Sequence, residues 1–302
     1  MSKIVCWFIS CWLLMASGIS LAAPVQISFQ QGAKSIHLNG DWRVPEGVNP
    51  RETGAVLWIH GTKGTLGMQY PVQDQMQRWV KAGVPVLAIT LSHGIDDRRE
   101  PVNCDQPQRG TLELSFDEIA AWFDWLHEKG VKNVVLAGHS QGGQRVLLFA
   151  AHHPEPALRG VIAIAPAKGQ PKAPAALDKA EKLVRAGQGD TLIRGPAPGC
   201  PVAEVAASTL LSYYGPQPDK DIRKAIAAIK VPVLVVAGAR DEVVRGLPDY
   251  LRPSIGPHLT LRVVETADHF YRDNAAAAEL GEIVPEFARD AMGSGHGRAF
   301  GE

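Results

Sequence analysis

Five short apolar runs constrain this chain more than any other feature: Ala55 to Ile59 (AVLWI), Pro85 to Leu91 (PVLAITL), Asn133 to Ala137 (NVVLA), Gly160 to Ala165 (GVIAIA) and Val231 to Ala237 (VPVLVVA). None alternates apolar with polar, which is how a strand reads when helices cover both faces of its sheet. Between them lie helical patterns at Val72 to Lys81, Ser115 to Glu128, Gln141 to His152 and Asp219 to Ile229; Leu259 to Val264 and Ala275 to Met292 add a last strand and a closing helix. Upstream, Val25 to Phe29 and Ser35 to Leu38 alternate around Gln31-Gly32 like a hairpin, an antiparallel edge to the same sheet. The expectation is an α/β fold, a mostly parallel, doubly wound sheet of about eight strands. With 30 glycines and 22 prolines the chain also has the turns such a fold needs, which disfavours an all-helical bundle.

Met1 to Ala22 reads as an address rather than as part of that fold. Lys3 is followed by the mostly apolar Ile4 to Met15, and Ser20 and Ala22 supply the small residues that signal peptidase requires. Cleavage after Ala22 would place the mature protein in the periplasm or outside the cell, with no membrane contact; an uncleaved anchor, or lipid attachment at Cys11, are the alternatives. Basic and acidic residues balance at 31 each, so no electrostatic footprint for a polyanion is present and nucleic acid is not an expected partner. Cys6 and Cys11 lie in the leader, leaving Cys104 and Cys200. In an oxidising compartment these two are expected to pair if their Cα atoms come within about 7 Å; two free thiols are the alternative.

The remaining domain, 23–292, is interrupted from about Ala167 to Pro218, where Pro, Ala and Gly dominate and two short helices, Ala173 to Arg185 and Val202 to Tyr213, are expected. A stretch of this length without a strand suggests a lid. It carries Lys168, Lys172, Lys179, Lys182, Arg185 and Arg194 among small residues, which suits a polar or small-acyl site better than a broad apolar flap. Tyr213-Tyr214 could line a cleft or pack the lid onto the core. Residues 293–302 read as a flexible tail.

The sharpest local signal is Gly138-His139-Ser140-Gln141-Gly142-Gly143, directly after the strand NVVLA and opening the next helix. A turn that tight strains the serine backbone and leaves no room for side chains two residues to either side, hence the glycines; Ser140 Oγ then stands clear beside a helix N-terminus. From this elbow the chain, over Ala55 to Met292, resembles the α/β-hydrolase superfamily, in particular its serine-nucleophile esterase and dienelactone-hydrolase-like branch. The resemblance implies an acid after a later strand and a histidine last. Asp241 in Gly238-Ala239-Arg240-Asp241 and His269 in Ala267-Asp268-His269 occupy those positions, with Glu242 and Asp268 as substitutes for the acid.

His60-Gly61-Thr62-Lys63-Gly64 follows the strand AVLWI where the family has its oxyanion loop, so the resemblance assigns the oxyanion to the backbone amides of Thr62 and Gln141. A phosphate loop is the other meaning of a glycine-rich turn, but G-x-x-x-x-G-K-[ST] is absent. His60 is expected to bond within the loop. His152-His153 lacks further ligands at zinc spacing, and Asp96 to Glu100 (DDRRE) reads as a solvated loop. The implied activity is a serine hydrolase acting on a small-molecule ester or related acyl bond through an acyl-enzyme, needing neither cofactor nor metal. A serine peptidase or amidase on the same scaffold, and a catalytically silent binding protein, remain as alternatives. Oligomeric state is not legible.

Overall fold

A computed structural model describes residues 21–66, 74–168, 174–216 and 219–293. The expected leader and tail lie outside the described residues, apart from Leu21 and Ala22, which open the first strand, and Gly293, which ends the last helix.

In chain order the elements are β1 (Leu21–Gln31), β2 (Lys34–Val44), α1 (Pro50–Thr53), β3 (Ala55–Ile59), α2 (Asp74–Lys81), β4 (Val86–Thr90), α3 (Leu112–Glu128), β5 (Val134–His139), α4 (Gln141–His152) and β6 (Leu158–Ile164). The segment expected to form a lid follows as α5 (Leu177–Arg185), β7 (Leu192–Ala197), β8 (Cys200–Ala206) and α6 (Ala207–Tyr214). The chain then continues through α7 (Ile222–Ala228), β9 (Val233–Gly238), α8 (Leu247–Leu251), β10 (Leu259–Val264) and α9 (Asn274–Gly293). Eight strands form one sheet in the order β1-β2-β4-β3-β5-β6-β9-β10. β2 runs antiparallel to both its neighbours and the other pairings are parallel.

Local chemistry explains where these elements begin. Every residue of β3, β4, β5 and β9 is buried, as non-alternating apolar strands require. The α3 helix buries Ile119, Trp122 and Leu126, at helical spacing. It starts three residues before the expected Ser115 because the Thr111 side chain caps it, accepting the Leu114 N–H at 3.0 Å. In the hairpin Gln31 faces Lys34, so the turn is Gly32-Ala33, one residue later than expected. Gly32 takes the positive φ of 60° there.

The register fixes where function can sit. Ile59 lies opposite Gly138, His139 opposite Ile164, Ile164 opposite Val236 and Val264 opposite Gly238, so the carboxyl ends of five neighbouring strands finish along one rim. Loops leaving that rim face each other across the crevice where open α/β sheets bind ligands.

The lid departs from its expected form. The strand β8 takes in residues 202–206, expected as the first turns of a helix, and β7 was not foreseen at all. The two form an antiparallel hairpin that shifts register between Gly195 and Ala197, around Pro196, which has no N–H for a ladder. Hydrogen bonds from Gln108 N–H to Glu204 O (2.8 Å) and from Ala206 N–H to Gln108 O (2.9 Å) extend this small sheet onto the loop after β4. Such pairing outweighs the weak helical preference of an alanine-rich segment. The lid has its own apolar cluster of Ala180, Ile193, Ala197, Ala203, Val205 and Leu210. No helix among the described residues is long and apolar enough to cross a membrane.

Candidate active site

Ser140 sits between β5 and α4 with φ 56° and ψ −120°. A non-glycine residue there is strained, and the surroundings hold it: its N–H donates to Ile164 O (2.9 Å), while its carbonyl accepts from Gln144 N (3.0 Å) and Ala167 N (3.1 Å). The flanking glycines are steric necessities. A Cβ on Gly138 would fall 2.6 Å from the Gly142 carbonyl, and one on Gly142 would fall 2.4 Å from His60 O.

Three of the expected side chains meet at this point. Ser140 Oγ lies 2.9 Å from His269 Nε2, and His269 Nδ1 lies 2.8 Å from Asp241 Oδ2. Asp241 leaves the end of β9 and His269 the loop after β10; both are buried. The other oxygen, Asp241 Oδ1, accepts the Val243 and Val244 N–H groups at 2.8 and 2.9 Å, which orients the carboxylate towards the ring. The two substitutes for the acid point elsewhere: Glu242 pairs with Arg245 at the surface, and Asp268 bonds Arg272 and the Phe270 N–H.

The loop after β3 comes against the serine. A Cβ on Gly61 would lie 3.4 Å from Ser140 Cβ, so Gly61, the residue before Thr62, packs against the elbow. Gln141 is the first residue of α4, where an N–H has no partner within the helix. His60 bonds within the loop as expected, with Nδ1–H donating to Gly61 O at 2.7 Å. Its Nε2 accepts from the Leu91 N–H at 3.0 Å and from Arg98 Nη2 at 3.2 Å. Burial and the Arg98 charge hold its pKa well below the usual histidine value, so the ring is neutral.

Arg98 corrects the expectation of a solvated DDRRE loop. Asp96 and Asp97 are exposed, but the Arg98 guanidinium is buried and organises the loop. It donates to Leu91 O and Gly64 O (2.6 Å each), to Glu100 O (2.8 Å) and to Lys63 O (3.5 Å), besides His60. Desolvation lowers its pKa to about 10, still a cation at neutrality.

Sequence reasoning also passed over His139. Its Nε2–H donates to the His269 carbonyl at 2.8 Å, and the two rings stand 4.8 Å apart between centroids. Burial, aided by the nearby His269, lowers its pKa to about 4, so it stays a neutral donor. Adjacency to the elbow serine was the one available signal, and it says nothing about the partner.

Cys104 and Cys200 pair with Cα atoms 5.5 Å apart, joining the loop after β4 to the start of β8. Lys63 Nζ lies 2.8 and 2.6 Å from their sulfur atoms. A cavity of about 140 Å³ is lined by Gln141, Gln144, Lys168, Tyr213, Tyr214 and Lys220, so both tyrosines face a cleft. A larger cavity, about 610 Å³, lies instead along β1 and β2 and includes neither Ser140 nor His269 in its lining. Among the described residues no three His, Cys, Asp or Glu side chains converge as a metal site.

Comparison with known proteins agrees with this arrangement at the level of the fold. Residues 56–280 match the sequence profile of the alpha/beta hydrolase family. A search of curated sequences finds no match. Among solved structures, Est1E from Butyrivibrio proteoclasticus superposes with a TM-score of 0.62 at 18% identity, over 89% of this chain and 99% of that one. A monoacylglycerol lipase from Paleococcus ferrophilus gives 0.59 at 20% identity over 84% and 99%. The esterase Pf2001 of Pyrococcus furiosus gives 0.57 at 18% over 90% and 93%. With three quarters of its length inside the family profile, the chain belongs to the alpha/beta hydrolase family.

Proposed function

We propose that this protein is an exported serine hydrolase that cleaves a carboxylic ester, or a related acyl bond, through an acyl-enzyme on Ser140. The observation that carries this is the unbroken chain from Ser140 Oγ through both nitrogens of His269 to Asp241, at 2.9 and 2.8 Å. A serine hydroxyl attacks a carbonyl only as its proton leaves, and neutral His269 Nε2 is placed to take it. Asp241, already bonded by two backbone amides, keeps the other ring proton on Nδ1 and stabilises the imidazolium as it forms. The amides of Thr62 and Gln141 are assigned to the oxyanion, where donors fixed in advance need little reorganisation. His269 then protonates the leaving alcohol and activates water for the second half.

Residues 1–22 are assigned as a cleaved leader and the Cys104–Cys200 pair as a disulfide formed after export. Cleavage after Ala22 removes only two residues from the free end of the edge strand β1, opposite Val44 and Arg43.

A fluorophosphonate probe and p-nitrophenyl butyrate test the reading on wild type and Ser140→Ala. Labelling and hydrolysis that both vanish in the variant are expected. Labelling that persists, or a wild type inert to both reagents, overturns it. Butyryl anilide as a parallel substrate separates an amidase from an esterase.

A further inference from the structure

Arg145 has no role in the chemistry above, yet it is among the largest fully buried side chains of the protein, 1% exposed. It stands one turn after Gln141 on α4, and helical side chains lean towards the N-terminus, so its guanidinium reaches back to the active-site end. There Nη2 lies 3.4 Å from Gln141 Oε1 and 2.8 Å from the Tyr213 hydroxyl of α6. The remaining groups, Nε and Nη1, are buried with no hydrogen-bond partner among the described residues. A cation left in that condition is unfavourable unless something completes it.

The neighbours share the deficit. Thr209, one turn before Tyr213 on α6, buries an Oγ1 without a partner among the described residues, and so does His93 with its Nε2. Thr209, Tyr213, His93 and Lys63 line one small cavity of about 10 Å³, and Tyr213 also lines the 140 Å³ cavity beside Gln141. The charge balance has the same sign throughout: Arg98, Arg145 and Lys63 all act on His93 as positive neighbours. The buried counter-charge, Glu118, is bonded to Ser92, and burial raises its carboxyl to about 7, so it is only partly ionised near neutrality. Unused donors and an excess of positive charge behind Tyr213, which borders the 140 Å³ cavity, describe a receptor for a carboxylate, whose planar oxygens match a guanidinium fork.

We infer that the preferred substrates are esters carrying a free carboxylate, and that this group is received by Arg145 with Thr209 and Tyr213 while Ser140 attacks the ester carbonyl. The inference rests on the ester-hydrolase reading given above. It covers a carboxylate on either side of the scissile bond, and two substrate pairs distinguish the sides. p-Nitrophenyl hemiglutarate against p-nitrophenyl pentanoate probes the acyl side; the butyrate ester of glycolic acid against ethyl butyrate probes the alcohol side.

In wild type, kcat/KM for one anionic ester should exceed that of its neutral partner by about tenfold or more, the scale of one charge-assisted bond in a buried site. Arg145→Met should bring that ratio close to one, and Thr209→Val should lower it part of the way. Equal rates within both pairs, or a ratio unchanged in Arg145→Met, overturn the inference. Glutarate binding needs no turnover: it should raise the Tm of wild type saturably, whereas glutaramide should not. This titration decides the point if Arg145→Met does not fold or if no ester is cleaved. A flat glutarate response then overturns the carboxylate site, whereas absence of all hydrolysis with a saturable response overturns only the assignment of the reaction.

Discussion

The imidazole of His139 donates to the backbone carbonyl of His269, so the residue before the elbow serine holds the loop that carries its partner. That bond spans 130 positions of sequence and joins the ends of β5 and β10, two strands that are not neighbours in the sheet. His139→Ala should therefore reduce kcat about tenfold with little change in KM, because the base is misplaced rather than lost. His139→Asn, which can still donate, should recover part of the loss. Equal kcat values for wild type and alanine variant in a saturating p-nitrophenyl butyrate assay would remove the positioning role.

Asp241→Asn offers a sharper test of the proposed relay. Its side-chain oxygen can still accept from Val243 and Val244, which turns the new NH₂ towards His269 Nδ1. That favours the tautomer with its proton on Nε2, which cannot take one from Ser140. A fall in kcat of about 10⁴-fold with an unchanged circular dichroism spectrum is expected. A tenfold effect or less would indicate that another group serves as the acid.

Stability should fall as the solution is acidified from about pH 6.5, before ordinary carboxylates titrate. Burial lowers the pKa values of His60, His93 and His139, the last to about 4, so the unfolded chain takes up protons that the folded one does not. Their contribution is complete above the unfolded value and is lost as the pH drops towards the folded values. Glu118 works the other way: raised to about 7, it contributes most below its unfolded value near 4.5 and loses that contribution as the pH rises through 7. Three histidines against one carboxyl leave a net slope in which stability rises with pH between pH 5 and 6. Urea unfolding at the two pH values measures it, and Glu118→Gln should steepen the slope. A flat or inverted dependence would contradict the assignment of neutral buried rings.

Cys104 and Cys200 are separated by 96 residues, so their bond closes a long loop in the unfolded chain. In the chain-entropy account it contributes up to about 4.7 kcal/mol. The guanidinium chloride midpoint should drop on reduction, and the Cys104→Ser/Cys200→Ser double variant should be insensitive to reductant. Non-reduced peptide mapping that recovers both residues as free thiols would contradict the pairing.

The parts of the site that could be read from sequence are those set by local geometry. The Ser140 elbow needs its glycines within two residues, and Asp241 and His269 follow strands whose apolar runs are plain. What escaped detection depends on tertiary surroundings. β7 contains Gly195 and Pro196, which argue against a strand until a partner and a register shift accommodate them. Arg98 lies in a run of charges that looks solvated, and nothing in DDRRE distinguishes the one residue that turns inward. Arg145 sits on a helix whose pattern is apolar around it, and its burial depends on α6, a segment 62 positions further on.

The bonding of Arg98 bears on how the protein ages and fails. One guanidinium gathers Lys63, Gly64, Leu91, Glu100 and His60 around the turn that presents Thr62. A lysine has neither the fork nor the number of donors to replace it. Gentle heating that frees this single side chain would slacken the amide assigned above to the developing negative charge while the strands beneath stayed intact. Inactivation would then precede melting, and cooling would restore a working catalyst without refolding.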